Sequence, residues 1–524
     1  MIRRPDVPTG LTIPAVLAEL RADAPDAAAL QIDGESVTYS ELADRVDAVR
    51  ALLQERGVRR GSKVAVLMPN SVAAAVWLLA IASHGAVVVP LNTRLRGAEL
   101  AYQINFSDAT MLALSEATID AARDVVADGT TVRADLPSLR QVVTDGGGAG
   151  EPWAPDVGDL LPLSGIDPST WEGPEPDDDL LMQFTSGTTA FPKGVMLSHR
   201  QILLNARGVA GRLHVRDTDI VCSPSPFFHC AGSTLTLGVG LVSGAEVHSF
   251  GRFDPGEVLD HLERHAVTVY SGVEAFFLEL MTHPSFSPSR VSGVRTGWIA
   301  APADLVGTVH ERMGLAGIVN VYGLSEASPN VCVADADWPV EQRMTCGTTH
   351  SGMEVRVVDP DSLAPVGAGT TGIIEVRGPC VTRGYYRDEA ATRAAFTADG
   401  WLHTGDLGVI DSDGNLSYDG RAKDMLRVGG ENVAPAEIEA ALLEHPDVRE
   451  VAVIGRPHAR MGEVPAAFVV LQDGAGIGAD ELSEFAASRL AGFKVPREVV
   501  ISAELPKTGS GKIQKARLRD LLPR

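Results

Sequence analysis

The stretch "KVAVLMPNSVAAAVWLLAIASHGAVVVPL", residues 63–91, decides the fold. Two runs rich in valine flank an alanine-rich apolar segment that ends at Gly85. Valine-rich runs favour strands, and an apolar segment of this length ending on glycine favours a buried helix. The order strand, helix, strand is typical of a βαβ unit with parallel strands. Because the apolar run Val72–Ala82 is shorter than the ~20 residues of a membrane span, we expect no integral membrane segment.

The same alternation returns along the chain and predicts an α/β fold, with a large N-terminal part of several subdomains and parallel sheets. Residues 145–179 are rich in Gly, Pro and Asp and predict a long surface connection. The last hundred or so residues predict a small α+β unit. The supporting runs are "EVHSF" (246–250), "VTVYSG" (267–272), "GIVNVYG" (317–323), "VREVAVIG" (448–455), "AAFVVL" (466–471) and "ADELSEFAASRL" (479–490).

Length and charge limit the classes of partner. The 524 residues exceed one compact core and predict several folding units. A net charge of −23 disfavours nucleic acid and anionic membrane as partners, because both would be repelled. The five cysteines lack CxxC spacing, and the N-terminus lacks a secretory signal, so we expect a cytoplasmic protein with reduced thiols.

The loop "FTSGTTAFPKGV", residues 184–195, combines hydroxyls, glycines and one lysine. Backbone N–H groups in a glycine-rich turn, with hydroxyls and an ammonium group, can hold a polyphosphate. Gly194 stands where a GxxxxGK[ST] loop has Ser or Thr, so this is a different kind of loop. A polar surface turn is the alternative that composition alone leaves open.

The order of residues in this loop resembles the phosphate-binding loop of the adenylate-forming superfamily. That superfamily includes acyl-CoA synthetases, luciferases and peptide-synthetase adenylation domains, and the chain looks most like the acyl-CoA ligases. Two departures are Ala190, in place of a third loop glycine, and Ser325, in place of threonine. Further similar segments are "TYSELADRV" (38–46), "PFFHCAG" (226–232), "VYGLSEAS" (321–328), "DGWLHTGDLG" (399–408), "GRAKDMLRVGGENVAPAEIE" (420–439) and "LPKTGSGKIQK" (505–515).

The resemblance implies a ligase that activates a carboxylic acid with ATP as acyl-AMP, releases pyrophosphate, and transfers the acyl group to CoA. It also implies an N-terminal adenylation domain at 1–420 and a mobile C-terminal domain at 421–524. The hinge would lie near Lys423, and the small domain would turn about it between the two half-reactions. Lys512 would serve the first half-reaction, and a face near Gly430 would form the pantetheine channel for the second.

The resemblance further implies residue roles. Catalytic roles fall to Lys512, Glu326 and His229, and the Mg²⁺ ligands would be Glu326 and Thr185, because Mg²⁺ prefers oxygen. Tyr322 would lie against adenine, while Asp406 would accept hydrogen bonds from the ribose. The residues expected to bind ATP or CoA are Thr185, Ser186, Gly187, Thr188, Thr189, Lys193, Ala301, Pro302, Tyr322, Gly323, Ser325, Asp406, Arg421, Lys423 and Gly430.

The acyl pocket is expected from the segment "WIAAPA", residues 298–303, and from "PFFH", residues 226–229. Ile299 stands where the family commonly has glycine, and a buried branched side chain shortens a rigid pocket. We therefore expect a small or medium aliphatic or aromatic acid, unless Ile299 packs into the core beside Val321. The predicted pocket residues are Phe227, His229, Ile299, Ala300 and Gly323.

Several alternatives stay open at this point. The acceptor could be a carrier-protein thiol, an amine or another nucleophile, and a non-catalytic relative would use the chain only for binding. Taken singly, Glu326 could cap a helix, Asp406 could sit in a turn, and Lys512 could be a surface lysine. The pair His261 and His265 lacks the Glu of a zinc-protease motif and favours a surface helix. A homodimer also stays open.

Overall fold

The computed structural model describes most of the chain, and its fold is α/β, as the sequence predicts. Large N-terminal sheets, mixed and mainly parallel, precede a smaller C-terminal sheet. The described residues are 10–129, 131–133, 135–145, 151–159, 171–185, 192–360, 362–421, 426–433, 435–472, 474–506, 515–519 and 521–522.

The predicted βαβ unit is confirmed. Strands Lys63–Leu67 and Val87–Pro90 pair in parallel, and helix Val72–Ser83 connects them. The Ser71 hydroxyl accepts the Ala74 N–H at 3.0 Å, which satisfies an orphan donor of the first helical turn. Nearly every side chain of this helix is buried, as expected for a helix that is apolar all round.

This unit belongs to a six-stranded sheet that is parallel except at one edge. At that edge, Asp179–Thr185 and Lys193–Ser198 pair antiparallel, so Thr185 and Lys193 lie opposite each other on neighbouring strands. The order across the sheet is Lys193–Ser198, Asp179–Thr185, Val87–Pro90, Lys63–Leu67, Ala109–Ser115 and Gln141–Asp145.

A ten-stranded sheet forms the second layer of the N-terminal part. Its centre is parallel, and antiparallel strands close both edges. Across the sheet run Thr348–Thr349, Asn330–Val333, Gly317–Gly323, Thr296–Ala300, Val269–Tyr270, Ile220–Cys222, Glu246–Ser249, Ala28–Ile32 and Glu35–Thr38, with Gly272–Val273 also paired to Thr296–Ala300.

Two smaller sheets follow. An antiparallel four-stranded sheet ends at Arg421, and the strands of the C-terminal sheet begin at Leu426. Two hydrophobic clusters drawn from residues 426–522 give the C-terminal part its own core. The first sheet contains Glu354–Val358, Gly372–Arg377, Leu402–Ile410 and Leu416–Arg421; the second contains Glu431–Val433, Leu426–Val428, Gly462–Leu471, Val448–His458 and Glu498–Ile501; a ribbon pairs Ala127–Asp128 with Thr131–Val132.

Helices cover the faces of these sheets. The α-helices are Ile13–Asp23, Tyr39–Glu55, Val72–Ser83, Gly97–Phe106, Ile119–Val126, His199–Arg212, Cys230–Gly232, Val239–Ser243, Pro255–Arg264, Glu274–Thr282, Ala303–Met313, Val340–Arg343, Glu389–Ala395, Pro435–Leu443, Ala479–Ala487 and Lys515–Arg519. A π-helical turn spans Ser233–Gly238, and 3₁₀ turns span Glu116–Thr118, Val157–Asp159, Pro288–Val291 and Ser325–Ala327. Among the described residues, no helix has both the length and the apolar character needed to span a membrane.

Burial keeps two histidines, His199 and His350, from taking up a proton. His199, at the start of helix His199–Arg212, is fully buried and accepts the Ile13 N–H on Nδ1 at 3.2 Å. Burial lowers the pKa of His199 to about 4, and the charge of Asp178 acts in the opposite direction without cancelling it. Burial likewise lowers the pKa of His350 to about 4. The folded protein therefore holds these imidazoles neutral.

This burial predicts a loss of stability in acid. The folded pKa of His199 lies below the usual value of about 6.5, so protons bind the unfolded chain preferentially. The contribution is present above pH ~6.5 and is lost as the pH falls towards about 4, on the order of 3 kcal/mol for His199. His199→Asn keeps an acceptor at the Nδ1 position. We expect the Tm of this variant to fall less between pH 7.5 and pH 5 than the Tm of the wild type.

His458→Asn is the matched control. His458 is exposed, and its Nδ1 also accepts backbone N–H groups, from Arg460 and Met461. The control should follow the wild-type dependence of Tm on pH. If His199→Asn also follows the wild-type curve, His199 does not contribute to the acid sensitivity.

Candidate active site

A cavity of about 490 Å³ lies between the N-terminal part and the C-terminal sheet. Its walls come from segments that are far apart in sequence, so the site forms only in the folded chain. Lining residues are Pro90, Asn92, Leu95, Gln103, Gln183, Phe184, Thr185, Pro192, Lys193, Phe228, His229, Gly323, Leu324, Ser325, Glu326, Tyr385, Ala391, Ala394, Ala395, His403, Thr404, Gly405, Asp406, Arg427, Glu431, Phe493 and Lys494.

The two ends of the predicted phosphate loop lie on this cavity. Thr185 ends one edge strand and Lys193 begins the next, and the two are paired across the antiparallel ladder. The ammonium group of Lys193 is 4.7 Å from the centre of the Tyr385 ring, a distance that permits a cation–π contact. The sheet edge thus presents one hydroxyl and one positive charge to the cavity.

Glu326, the candidate metal ligand, lies on the same wall in the short turn Ser325–Ala327. The Tyr385 hydroxyl donates to Glu326 Oε1 at 2.9 Å. Burial, followed by the charge of Glu326, raises the pKa of Tyr385, so its phenol stays protonated and acts as a donor. Tyr385 therefore contacts both Lys193 and Glu326 and holds a cation and an anion side by side.

Tyr322 and Asp406 are joined directly. Tyr322 lies in the ten-stranded sheet, Asp406 lies in the four-stranded sheet, and the Tyr322 hydroxyl donates to Asp406 Oδ2 at 2.8 Å. The Tyr418 ring stacks on the Tyr322 ring, with 5.9 Å between the ring centres. Burial and the neighbouring Asp406 carboxylate raise the pKa of Tyr322 well above its usual value, so it stays a donor. Asp406 lines the cavity, whereas Tyr322 lies behind it.

Backbone packing fixes the segments predicted to lie near adenine. Asn320 donates from Nδ2 to the Ala301 carbonyl at 3.0 Å and accepts the Ala301 N–H at 3.4 Å. Pro302 leads into helix Ala303–Met313. A side chain at Gly323 would meet the Pro329 carbonyl at 2.3 Å, so only glycine fits at this point of the cavity wall. Ala301 and Pro302 lie outside the lining.

The segment around His229 forms another wall. The Gln183 amide donates to the Phe228 carbonyl at 3.0 Å and ties this segment to the edge strand. His229 Nδ1 accepts the Ala231 N–H at 3.2 Å, which leaves Nε2 as the nitrogen that carries the proton in the neutral ring. Phe228 and His229 line the cavity, whereas Phe227 is buried behind them.

Ile299 lies away from the cavity, contrary to its predicted role as a pocket wall. It is fully buried in a cluster with Tyr270 and Phe277. Successive side chains of a strand point to opposite faces of the sheet. The neighbours of Ile299, Trp298 and Ala300, accordingly pack in a different hydrophobic cluster, the one that contains Phe227. The expectation of a pocket shortened by Ile299 is therefore wrong, because the side chain points into the core. Ala300 also lies outside the lining.

The C-terminal part supplies the remaining wall through Arg427, Glu431, Phe493 and Lys494. Gly430 lies beside this wall with a φ of +86°, a conformation that favours glycine. A side chain at Gly430 would come within 3.2 Å of a Val273 methyl in the N-terminal part. The predicted channel glycine therefore lies at the boundary between the two parts.

Other predicted residues fall outside the described part of the chain. The backbone of Arg421 is paired with Asp406, which brings the end of the four-stranded sheet next to the cavity. The predicted positions that lie outside the described residues are Ser186, Gly187, Thr188, Thr189, Lys423 and Lys512.

Sequence reasoning missed several residues that line the cavity. Tyr385 could have been noticed, because the chain has only seven tyrosines and two of them, Tyr385 and Tyr386, are adjacent. His403 lies within the quoted "DGWLHTGDLG" segment, and its Nδ1 is 2.6 Å from the buried Glu375 carboxylate. Gln183 and Lys494 carry no comparable sequence signal, because their roles depend on contacts far along the chain.

Comparison with known proteins identifies the family. The AMP-binding enzyme family matches residues 18–386, and the C-terminal domain of AMP-binding enzymes matches residues 437–512. A feruloyl-CoA synthase from Amycolatopsis is 36% identical over 94% of this chain and 96% of its own. A long-chain-fatty-acid–CoA ligase from Bacillus subtilis is 30% identical over 98% and 96%, respectively.

Solved structures of similar proteins share the fold across nearly the whole chain. A double mutant of o-succinylbenzoate CoA synthetase from Bacillus subtilis, bound with a product analogue, has a TM-score of 0.83 at 26% identity, covering 96% of this chain and 98% of its own. An amide bond synthetase from Marinactinospora thermotolerans also scores 0.83, at 29% identity, covering 94% and 97%. ATP-bound MatB from Rhodopseudomonas palustris scores 0.70 at 30% identity, covering 97% and 98%.

These matches cover well over half of the chain. ATP and CoA are substrates of the acyl-CoA ligases in this family. The chain belongs to the AMP-binding enzyme family, and within it to the AMP-forming acyl-CoA ligases.

Proposed function

We propose that this protein joins a carboxylic acid to the α-phosphate of ATP, releases pyrophosphate, and passes the acyl group from acyl-AMP to the thiol of CoA. The observation that carries the proposal is the shared cavity of Lys193, Glu326 and Asp406 with the Gly430 face beside it. In the first step a carboxylate oxygen attacks phosphorus, and pyrophosphate leaves. In the second step the thiol sulfur bonds to the acyl carbon, AMP leaves, and the thiol proton is lost.

Charge is the main obstacle to the first step, because a carboxylate must approach a polyanion. Lys193 offsets the phosphate charge at the sheet edge, and fixed charges in a cavity stabilise a transition state without reorganisation. Asp406 accepts hydrogen bonds from the ribose, and its bond from Tyr322 keeps the carboxylate in place. His229, through Nε2–H, orients the acyl carboxylate.

The residues present suit Mg²⁺. Glu326 offers a carboxylate and Thr185 a hydroxyl on the same wall as Lys193, and oxygen donors of this kind are what Mg²⁺ prefers. These two residues would hold the ion, which would neutralise phosphate charge. Tyr385 fixes the orientation of the Glu326 carboxylate through its hydrogen bond.

We infer that the relative placement of the two parts is the one used in the second half-reaction. Support comes from Arg427 and Glu431, which line the cavity, and from Gly430, which approaches Val273 of the N-terminal part. The higher TM-score to the relative with a CoA product analogue supports this assignment. Coverage is nearly equal for that relative and the ATP-bound one, so the lower score of the latter is consistent with a different placement of parts. The division at residues 420 and 421 is part of this proposal.

The acyl substrate is proposed to be a small or medium acid, aliphatic or aromatic. With Ile299 in the core, support for this size comes from Trp298, whose buried side chain belongs to the same hydrophobic cluster as Phe227, the residue before Phe228 in the cavity wall. A bulky side chain buried in this rigid cluster leaves less room for an acyl chain. The relative that acts on ferulic acid supports an aromatic substrate, and the long-chain ligase is the contrasting case.

A panel of acids tests the function directly. We expect pyrophosphate release with ATP and a small or medium acid, and thioester formation only when CoA is added. Trp298→Ala should move the optimum towards longer acids. A kcat/KM that rises steadily beyond twelve carbons in the wild type would contradict the size limit, and the absence of pyrophosphate with every acid would contradict adenylation.

The acceptor is the second variable of this panel. The amide bond synthetase with the same fold favours an amine as the competing acceptor, so amines and carrier-protein thiols are tested against CoA. CoA should give the highest rate. A faster reaction with an amine or a carrier protein would replace CoA as the assigned acceptor.

The two half-reactions should depend on different residues. Lys512→Ala should slow acyl-AMP formation by roughly 10²–10³, the usual loss of one charged transition-state contact, and spare thioester formation from synthetic acyl-AMP. Gly430→Leu should do the reverse, because a branched side chain at φ +86° would meet Val273. Lys507→Ala is the control for Lys512. Equal losses in both half-reactions would mean that these residues are structural.

Tyr385→Phe should slow acyl-AMP formation by about tenfold, because a hydrogen bond to a charged group is lost. Tyr386→Phe is the matched control, since the Tyr386 hydroxyl donates to Asp108 at 2.8 Å outside the cavity lining. The rate of pyrophosphate release in a single turnover measures both variants. If the two variants lose activity equally, Tyr385 has no special role in orienting Glu326.

A further inference from the structure

A buried lysine joins the N-terminal part to the C-terminal part next to the cavity. The Lys494 ammonium lies 2.9 Å from Glu99 Oε1 and 2.5 Å from Glu437 Oε1. The three side chains are only 6%, 10% and 9% exposed, respectively. Glu99 belongs to the N-terminal helix Gly97–Phe106, whereas Lys494 and Glu437 belong to the C-terminal part.

Both carboxylate oxygens of Glu99 contact the C-terminal part. Its second carboxylate oxygen accepts the Ala491 N–H at 2.7 Å. Ala491 is buried in an N-terminal core cluster that includes Leu95 and Leu100. Phe493 packs against that cluster and also against the C-terminal core. The turn 491–494 is therefore docked into the N-terminal part by apolar contacts and by both oxygens of one carboxylate.

If the C-terminal part turned away from the N-terminal part, Lys494 would keep one of its two carboxylate partners, whereas Glu99 would lose both of its contacts. Lys494 keeps Glu437, because both travel together, whereas Glu99 loses Lys494 and the Ala491 N–H at once. Burial alone would lower the pKa of Lys494, but the carboxylates of Glu437 and Glu99 outweigh burial and raise it. The lysine is thus a cation in the docked arrangement. Without it, two buried carboxylates would face each other, which is strongly unfavourable.

We propose that Glu99, Lys494 and Glu437 form an electrostatic latch that holds the C-terminal part in the arrangement in which the Gly430 face lies at the cavity. The three are positioning residues: they act on thioester formation by favouring one arrangement. The latch rests on the proposed two-step function, because only a reaction with two arrangements makes such a preference matter. Lys494 itself lines the cavity beside Leu95 and Gln103, so the latch is part of the wall that closes on the acyl-AMP.

The test separates the half-reactions in the full-length protein. Glu99→Gln keeps the shape of the side chain and removes its charge, and Lys494→Met removes the cation with little change of length. Each should slow thioester formation from synthetic acyl-AMP about tenfold. In Glu99→Gln, whose carboxylate lies outside the cavity lining, single-turnover pyrophosphate release should stay within about twofold of wild type. The double variant should lose little more than either single variant, because the two changes break one contact.

Hydrogen exchange provides a readout that a general loss of activity would not move. The peptide containing Ala491 should exchange faster in Glu99→Gln, because its N–H loses a charged acceptor. The control is Glu439→Gln, which breaks a 2.7 Å pair with Lys515 that lies wholly within the C-terminal part. This control should leave both half-reactions and the Ala491 peptide unchanged.

The outcomes are distinguishable. Equal losses in both half-reactions, or unchanged exchange at Ala491, would overturn the latch while leaving the proposed function intact. A wild-type protein that releases no pyrophosphate with any acid would overturn the proposed function instead. Glu439→Gln reproducing the effect of Glu99→Gln would also overturn the latch, because any C-terminal ion pair would then do the same.

Discussion

The hydrogen bond from Tyr322 to Asp406 is the contact on which the site depends. It joins the ten-stranded sheet to the four-stranded sheet, and both side chains are almost fully buried. A buried carboxylate must have donors, because leaving it unpaired is costly. The bond therefore holds the strand that contains Asp406 against the sheet that contains Tyr322. Asp406 is in turn paired through its backbone with Arg421, the last residue of the next strand.

The sequence predicted those parts of the site that form within short segments. Lys193, Glu326 and Asp406 each sit in a contiguous run with a distinctive order of residues, and each lies on the cavity. The βαβ unit was predictable for a similar reason, since apolar periodicity is local. Tyr385 and Lys494 escaped because their partners are far along the chain: Glu326 in one case and Glu99 in the other. Such pairings depend on tertiary structure that no local pattern encodes.

The misplacement of Ile299 has a simple geometric origin. Strand side chains alternate between faces, so an error of one residue moves a predicted pocket residue into the opposite core. The segment was recognised by its small residues, Ala300 and Ala301, and these do not indicate which side chains point to which face of the sheet. The orientation of each side chain is set by the pairing of this strand with Gly317–Gly323 and Gly272–Val273, both of which lie outside the segment. His261 illustrates the same limit, because its buried partner His248 comes from a neighbouring strand, at 2.8 Å.

All five cysteines are buried and unpaired, and none lies in the C-terminal part. Buried thiols react slowly with alkylating reagents, because the reagent cannot reach them. Burial also raises the pKa of Cys346 and of Cys380 to about 12 and so suppresses their thiolates. At Cys230 burial is outweighed by the neighbouring His229, which lowers the pKa, so this thiol is protected by burial alone. A cysteine introduced on the surface would therefore outcompete the native thiols for a maleimide dye. Pairs of such dyes, one on each part, would measure in single molecules whether the placement of the two parts changes during turnover, without first removing the native cysteines.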